Sequence, residues 1–232
     1  MTRLETVRRS KVYDFVAAVP LIAWYLIILA QMLPATGREI ALIKMFVVTD
    51  IYVLPGALVL SAISKACTLF FLALLIVMFA VRRPPIRHAR GVYPRFVALA
   101  GTWLSFGIAL LPPQEISPVP YLISLLLLIV GTALAVLSIT ALARSISVMP
   151  EARRMVTHGP YALVRHPLYI GEFAATAGLA MQHLMPWAFV LFGVHCFFQF
   201  ERLRNEERVL VEAFPDYKDY MARTARLFPG LY

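Results

Sequence analysis

The chain has 232 residues, of which 60% are hydrophobic and only 15% are charged, and its formal net charge is +9. A soluble domain carries about 25% charged residues, so the composition excludes an ordinary soluble enzyme. The basic residues lie in short loops between apolar runs, where membrane topology explains them better than nucleic-acid binding does.

Six apolar runs are candidate spans of the membrane, whose hydrocarbon core is roughly 30 Å thick. They cover residues 15–33, 58–81, 96–111, 119–142, 168–182 and 186–200. The basic N-terminus precedes a run that is too long for a signal peptide and has no small-residue cleavage site, so it predicts a first transmembrane helix. The last two runs are separated by a few residues and predict a tight hairpin. The fold class is therefore all-α integral membrane, with about six transmembrane helices.

Residues 45–60 are the least regular part of this pattern. They are apolar but are interrupted by Asp50 and Pro55. Residues 45–81 are short for two full spans and a turn, so we expect an interfacial or re-entrant segment at 45–60.

The basic residues cluster in alternate loops. One group precedes the first span (Arg3, Arg8, Arg9 and Lys11), one follows the second (Arg82, Arg83, Arg87, Arg90 and Arg95), and one follows the fourth (Arg144, Arg153, Arg154 and Arg165). The other loops are balanced (Arg38, Glu39, Lys44 and Asp50) or acidic (Glu115). The positive-inside rule then predicts both termini in the cytoplasm, and we expect a multi-pass protein of the bacterial inner membrane.

Residues 145–172 form a long connection rich in Gly, Pro, His, Arg and Tyr, and long loops in compact domains tend to be functional or disordered. Pro167 suits the first position of a helix, which places His166 near the N-cap and puts Tyr169 and Glu172 on one face. Glu172 lies inside the fifth span, where an ionisable side chain normally faces a cavity or a partner.

The sixth span carries a second group of polar residues on one helical face: His195, Gln199, Arg202 and Glu206. The hairpin allows this polar face to meet the polar residues around His166 at the cytoplasmic surface.

The alternative interpretations of these residues are structural. Arg144, Arg153 and Arg154 could serve only to set the membrane topology. Glu206 and Glu207 alone could form a solvated helix face. Tyr217 and Tyr220 could anchor the tail at 201–232 to the membrane interface. Cys67 and Cys196 have no metal-ligand spacing, and we predict no metal site. Spacing alone thus indicates only a polar cytoplasmic pocket.

Three motifs narrow the function. The sequence GPYALVRHPLYIG at 159–171 resembles the G-P-Y-x-x-V-R-H-P-x-Y signature of the isoprenylcysteine carboxyl methyltransferase family, whose superfamily includes the membrane phospholipid N-methyltransferases. The family's Glu-Glu-x-x-Leu element matches Glu206, Glu207 and Leu210, and its aromatic tail pattern matches Phe214, Tyr217, Tyr220, Arg226 and Pro229. The resemblance covers roughly 145–229. It divides the single membrane domain into N-terminal spans at 1–143, expected to determine the substrate, and a methyltransferase core at 144–232.

The resemblance implies S-adenosylmethionine as cofactor, in a cytoplasmic pocket formed by the C-terminal hairpin, the connecting loop and the tail. It assigns the cofactor to His158, Gly159, Pro160, Tyr161, Arg165, His166, Pro167, Tyr169, Glu206 and Glu207. It places Arg202 near an acceptor carboxylate, and Glu172 is the second candidate on the acceptor side. The implied reaction is methyl transfer to a lipophilic membrane substrate, with a prenylcysteine-like carboxylate favoured.

Other acceptors and classes stay open: a phospholipid amine, a small thiol, an isoprenoid-like lipid, a sterol-reductase-like enzyme that uses NADPH, or a non-catalytic scaffold. The scaffold predicts no polar cavity around Glu172 and Glu206. We expect no nucleic-acid partner and make no prediction of oligomeric state. We also expect the acceptor to enter sideways from the bilayer, because exposing its chain to water would cost about 0.8 kcal/mol per CH₂.

Overall fold

The computed structural model describes residues 11–49, 55–112 and 114–230, and most of them are helical. Within these ranges the helices are α1 (Lys11–Val48), α2 (Gly56–Val81), α3 (Tyr93–Ala109), α4 (Pro118–Leu142), α5 (Pro167–His183), α6 (Pro186–Ala213) and α7 (Tyr217–Arg223). Two-residue strands β1 (Arg87–His88) and β2 (Glu151–Ala152) form a short antiparallel ladder. Each of the six predicted spans coincides with a helix, and the all-α membrane class is confirmed.

Three of the described helical stretches are long and apolar enough to cross a membrane: Lys11–Val48, Gly56–Val81 and Pro118–Ser145. Helices α3 and α5 have 17 residues each, which is about 25 Å at 1.5 Å per residue. Helices α5 and α6 are also less apolar, because their inner faces carry the polar residues discussed below. The count of six spans therefore stays a prediction.

The interfacial or re-entrant segment predicted at 45–60 is not a separate element in the described residues. Residues 45–48 are the last turn of α1, residues 56–60 begin α2, and 50–54 lie outside the described residues. Helix α1 has 38 residues, about 57 Å at 1.5 Å per residue, and so exceeds the hydrocarbon core. Pro34 and Gly37 lie inside α1, and the apolar residues that follow them continue the helix to Val48.

The tail predicted at 201–232 likewise does not begin as a separate unit. Helix α6 continues for 28 residues to Ala213, because the stretch after Phe200 consists of good helix formers with no Gly or Pro. Pro215 disfavours further helix at the residue before it. Helix α7 follows, and Ala225 then pairs with Val164 of the connecting loop.

Small residues bring α4 and α5 into backbone contact. A Cβ added at Gly131 would lie 2.5 Å from the Ala175 nitrogen, and one at Gly178 would lie 2.6 Å from the Ser124 carbonyl oxygen. Small residues allow such close approach between membrane helices. Helix α3 packs mainly on α6, α1 packs on α2, and α2 packs on α4. The helices therefore surround an internal space, and the α5–α6 hairpin closes it.

The loops predicted to share one side of the membrane do meet at one end of the bundle, here called the basic end. Asp14 of α1 accepts hydrogen bonds from Arg82 at 2.8 Å and from Arg153 at 2.8 and 3.0 Å. Arg153 also pairs with Glu151 at 2.6 Å. Burial opposes the charged form of Glu151, but its hydrogen bond with His88 and the charge of Arg153 lower its pKa to about 2. Arg153 is thus a buried structural cation, a role that the topology interpretation missed.

Candidate functional site

The connecting loop between α4 and α5 positions the first set of site residues. Gly159 has a φ of 61°, a left-handed conformation that favours glycine, and it begins a 3₁₀ turn at Gly159–Ala162. His166 is the N-cap residue of α5, and Pro167 occupies the first turn. This confirms the local geometry predicted from the position of the proline.

Glu207 of α6 is the centre of a buried ion cluster. It accepts hydrogen bonds from Arg165 at 2.8 Å and lies 3.2 Å from His166 Nε2, and Arg226 of the tail pairs with it at 2.8 Å. Burial opposes its charged form, but the hydrogen bond and charge of His166, together with those of Arg165, lower the pKa of Glu207 to about 2. The cluster joins the loop, α6 and the tail.

Arg165 and the tyrosines complete this attachment of the tail. The Arg165 guanidinium donates to the carbonyls of Met221, at 2.9 Å, and Thr224. Tyr220 donates to the Tyr161 carbonyl at 2.6 Å. Burial raises the pKa of Tyr220 to about 12. Tyr220 therefore packs the tail against the connecting loop.

Four of the residues predicted to bind the cofactor line a cleft of about 40 Å³ between the loop, α6 and the tail: Tyr161, Arg165, His166 and Glu206. Pro167, Tyr169 and Glu207 are buried behind or beside it, whereas His158 and Gly159 are exposed and Pro160 is half-buried. Carboxylate, guanidinium and aromatic groups suit the ammonium, carboxylate and adenine of S-adenosylmethionine. The cleft is smaller than the roughly 300 Å³ of a typical small-molecule pocket.

Tyr169 connects this cleft to the interior of the bundle. Its hydroxyl donates to Glu206 at 2.8 Å, and its ring lies 5.4 Å from the guanidinium carbon of Arg202. Glu206 faces the cleft, whereas Arg202 faces the interior. Tyr169 therefore lies between the cleft and the interior of the bundle. This agrees with the prediction that the polar residues of α6 meet those around His166.

The Arg202 guanidinium is buried and, within the residues that the structure describes, is held only by long hydrogen bonds. Its hydrogen bonds are long, 3.4 Å to Gln199 Oε1 and 3.4 Å to the Ser147 carbonyl. Glu172 and Glu206 are near enough to act on it electrostatically, but in the described part of the chain no carboxylate forms a salt bridge with it. Glu172 instead accepts a hydrogen bond from Gln199 Nε2 at 2.5 Å.

Arg202 and Glu172 line a cavity of about 530 Å³ that is enclosed by α1 to α6. Its walls are mainly apolar. Polar residues lie near Arg202 at Gln199, farther from the basic end at His195, and on α2 at Ser61, Ser64 and Lys65. Lys65 pairs with Glu39 of α1. A scaffold was expected to have no polar cavity around Glu172 and Glu206; Glu172 lines this cavity, whereas Glu206 lines the cleft.

Sequence reasoning did not identify the cavity residues of α1 to α4. Tyr25, Ser64 and Thr132 are all buried and line the cavity. Their signal was weak: isolated hydroxyl groups within apolar runs, which also occur where a hydroxyl bonds to its own helix, as Ser138 does. In the described ranges no group of three or more His, Cys, Asp or Glu comes together as a metal site.

Comparison with known proteins shows that most of the site residues lie in a segment that matches a known protein family. Residues 119–217 match the phospholipid methyltransferase family. This range includes α4, the connecting loop, α5 and α6, and so contains Glu172, Arg202, Glu206 and Glu207.

Two characterised relatives share part of the sequence. The cobalt-zinc-cadmium resistance protein CzcN of Cupriavidus metallidurans is 33% identical over 152 residues, which is 62% of this chain and 65% of that protein. The nickel-cobalt-cadmium resistance protein NccN of Alcaligenes xylosoxydans xylosoxydans is 35% identical over 82 residues, or 35% of this chain and 38% of that protein. Both matches span less than two thirds of the relatives' own length.

Proposed function

We propose that this chain, whose residues 119–217 are a domain of the phospholipid methyltransferase family, transfers a methyl group from S-adenosylmethionine to a lipophilic acceptor held in the 530 Å³ cavity. The favoured acceptor group is a carboxylate. The basic end would face the cytoplasm, from which the water-soluble cofactor enters.

The observation that carries this proposal is the Arg202 guanidinium at one end of a mainly apolar cavity, where it has no salt bridge among the described residues and only long hydrogen bonds. A buried charge that is incompletely paired is costly, and an anionic ligand would reduce that cost. A guanidinium holds a carboxylate through two parallel hydrogen bonds. The apolar walls beyond Arg202 suit a hydrocarbon chain attached to that carboxylate.

The residues of the chain would act mainly by positioning. Arg202 would orient the acceptor oxygen, and Tyr169, held by Glu206, would keep the two spaces adjacent. S-adenosylmethionine would supply the methyl group, whose bond to sulfur breaks as the bond to the acceptor oxygen forms. A carboxylate acceptor releases no proton, so this reaction needs no base. Alignment of the two reactants can then account for most of the rate enhancement.

The cofactor would lie in the cleft between the loop and the tail. Glu206 is suited to the methionyl ammonium, because Tyr169 is its one hydrogen-bond partner among the residues described. His166 and Tyr161 line the same cleft. Glu207, by contrast, has its charge balanced by Arg165, His166 and Arg226, and we assign it to holding the cleft together.

We also propose that the acceptor enters the cavity from the bilayer between α1 and α3. Both helices line the cavity but make little backbone contact with each other. They meet through Trp24 and Trp103, whose ring centroids are 4.6 Å apart. Separation of these side chains would open a path from the lipid without exposing the acceptor chain to water.

An amine or thiol acceptor is the second candidate, and the family's description as phospholipid methyltransferases favours the amine. Such an acceptor must lose a proton, and Glu172 is the carboxylate in the cavity that could take it. The positive charge of Arg202 opposes a protonated amine at the same place. The names of the relatives suggest in addition that the reaction contributes to heavy-metal resistance.

Substitution of Arg202 tests the proposal. Arg202→Gln should lower transfer of labelled methyl from S-adenosylmethionine to a host lipid extract by about tenfold or more, because a charge-assisted hydrogen bond contributes about 1.5–3 kcal/mol. Arg204→Gln is the matched control, because it removes an exposed arginine two residues away. The two variants should have similar melting temperatures. Equal label transfer by both variants would remove Arg202 from the acceptor site.

A further inference from the structure

His195 is the most deeply buried polar group of the cavity that the reaction proposed above does not use. The residue is 1% exposed, and it lines the cavity. Neither ring nitrogen has a hydrogen-bond partner among the residues that the structure describes. The Gly101 backbone lies close to the ring without meeting hydrogen-bond geometry.

The position of His195 relative to Arg202 defines a distance within the cavity. The two residues lie on one face of α6, seven positions apart, which is a rise of about 10 Å. His195 is farther from the basic end. The ring of Phe173 meets the imidazole edge to face, with centroids 6.5 Å apart. The imidazole is thus a buried polar group of the cavity wall, about two helical turns from Arg202.

A plain hydrocarbon chain would fit this arrangement poorly. It would cover the imidazole and leave both nitrogens unpaired, which is unfavourable in an apolar environment. A neutral imidazole has one donor and one acceptor nitrogen, so a hydroxyl group on the chain could pair with either. A leucine at this position would suit an unfunctionalised chain better than a histidine does.

We propose that His195 selects an acceptor whose single chain carries a hydrogen-bonding oxygen, such as a hydroxyl, about 10 Å deeper in the cavity than the group held by Arg202. This inference rests on the proposed function, because it takes the cavity as the acceptor site. His195 is then a specificity-determining residue.

The test uses hexadecanoic acid and a series of its monohydroxy derivatives, with the hydroxyl group moved stepwise along the chain. Their affinities are measured with purified protein by displacement of labelled hexadecanoic acid. The wild-type protein should prefer one hydroxyl position over the unsubstituted acid by about 2- to 10-fold, the value of a typical net hydrogen bond. The preferred position should lie at mid-chain.

His195→Leu should abolish this preference and should not lower the melting temperature, because an unpaired buried polar group is replaced by an apolar one. His195→Gln should retain part of the preference. His183→Leu is the matched control: His183 is also buried, but its ring lies 3.2 Å from the Pro112 carbonyl and is outside the cavity lining. That variant should keep the wild-type preference.

The absence of any hydroxyl preference in the wild-type protein, or an equal preference in His195→Leu, would overturn the proposal. A large loss of thermal stability in His195→Leu would assign the residue a structural role and would also overturn it. Failure of the proposed function is separable, because it would show as absent methyl transfer from S-adenosylmethionine, whereas the selectivity between probes is measured without cofactor.

Discussion

At the scale of residues, Glu206 and Glu207 show how adjacent carboxylates take different tasks. One residue along a helix is a rotation of about 100°, so Glu207 points to Arg165, His166 and Arg226, whereas Glu206 points to Tyr169 and the cleft. Glu207 is buried with its charge balanced. Glu206 retains capacity for a cationic ligand, and this difference decides which of the pair we expect to contact the cofactor.

We predict that His166→Ala and Glu206→Ala each weaken S-adenosylmethionine binding by roughly tenfold or more, the value of a charge-assisted hydrogen bond. Titration calorimetry of the purified variants measures this directly. The His166 variant should remain folded, because Glu207 still pairs with Arg165 and Arg226.

Glu201→Ala is the control for these variants. Glu201 lies on the same helix, and it pairs with Arg204 and Tyr93 outside the cleft. Its loss should leave the affinity for S-adenosylmethionine unchanged. Wild-type affinity in both the His166 and the Glu206 variants would exclude these residues from the cofactor site.

At the scale of elements, the contact between α4 and α5 determines where the site residues lie. Gly131 of α4 and Gly171 of α5 face each other, and a Cβ on either would lie 2.6 Å from the carbonyl oxygen of the other. Glu172 is next to Gly171 in sequence. A shift of α5 away from α4 would therefore move Glu172 and Tyr169 relative to α6.

We expect Gly131→Ala to lower the melting temperature, with a cost of about 1–3 kcal/mol as for other overpacked sites. It should also reduce methyl transfer, because α5 carries part of the site. Thermal unfolding in detergent measures the first effect. Gly193→Ala on α6 is the control, since nothing lies within 4 Å of the added Cβ. Equal stability of the two variants would contradict the close packing of α4 and α5.

The apolar runs and the positions of the prolines predicted which helices are present. They predicted the ends of the helices less accurately, and they did not predict the cavity. Prolines and polar loops marked the starts of α4, α5 and α6 within one residue of the structure. Helix α1 extends beyond the predicted span at 15–33, because Pro34 does not end it. The cavity could not be predicted, because it depends on how α1 to α3 pack against the matched domain, and a buried serine has no distinct sequence pattern.

The polar partners were also only partly predictable. The spacing of Gln199, Arg202 and Glu206 predicted a common face, and the hairpin predicted its meeting with Tyr169. Pairing between distant segments, such as that of Asp14 with Arg153, depends on tertiary structure and has no local signal. The same holds for the tail that returns to Glu207 through Arg226.

At the scale of the whole molecule, the loops that were predicted to be cytoplasmic lie together at the basic end of the bundle. Arg87 of β1 pairs with Glu212 near the end of α6 at 2.8 Å, and the Arg83 nitrogen donates to the Arg144 carbonyl at 2.8 Å. At the opposite end, His183 of α5 contacts the Pro112 carbonyl after α3. The candidate cofactor cleft lies at the basic end.

We therefore predict that reporter fusions after residue 232 and within 112–118 report opposite sides of the membrane, with the C-terminal fusion cytoplasmic. A third fusion within 82–92 should agree with the C-terminal one, because Arg87 contacts α6. The positive-inside rule gives the same orientation. Agreement between the fusions at 232 and 112–118 would contradict the six-span topology.

The central claim is methyl transfer from S-adenosylmethionine to a lipid carboxylate held by Arg202. Its most direct test is incubation of the purified wild-type protein with methyl-labelled S-adenosylmethionine, NADPH and host lipid extract, followed by mass analysis of the labelled lipid and measurement of the NADPH that remains. We predict label in a base-labile methyl ester of a single-chain lipid, with no consumption of NADPH. Label in a base-stable N-methyl group would contradict the carboxylate acceptor, and NADPH consumption without label in any lipid would contradict methyl transfer itself.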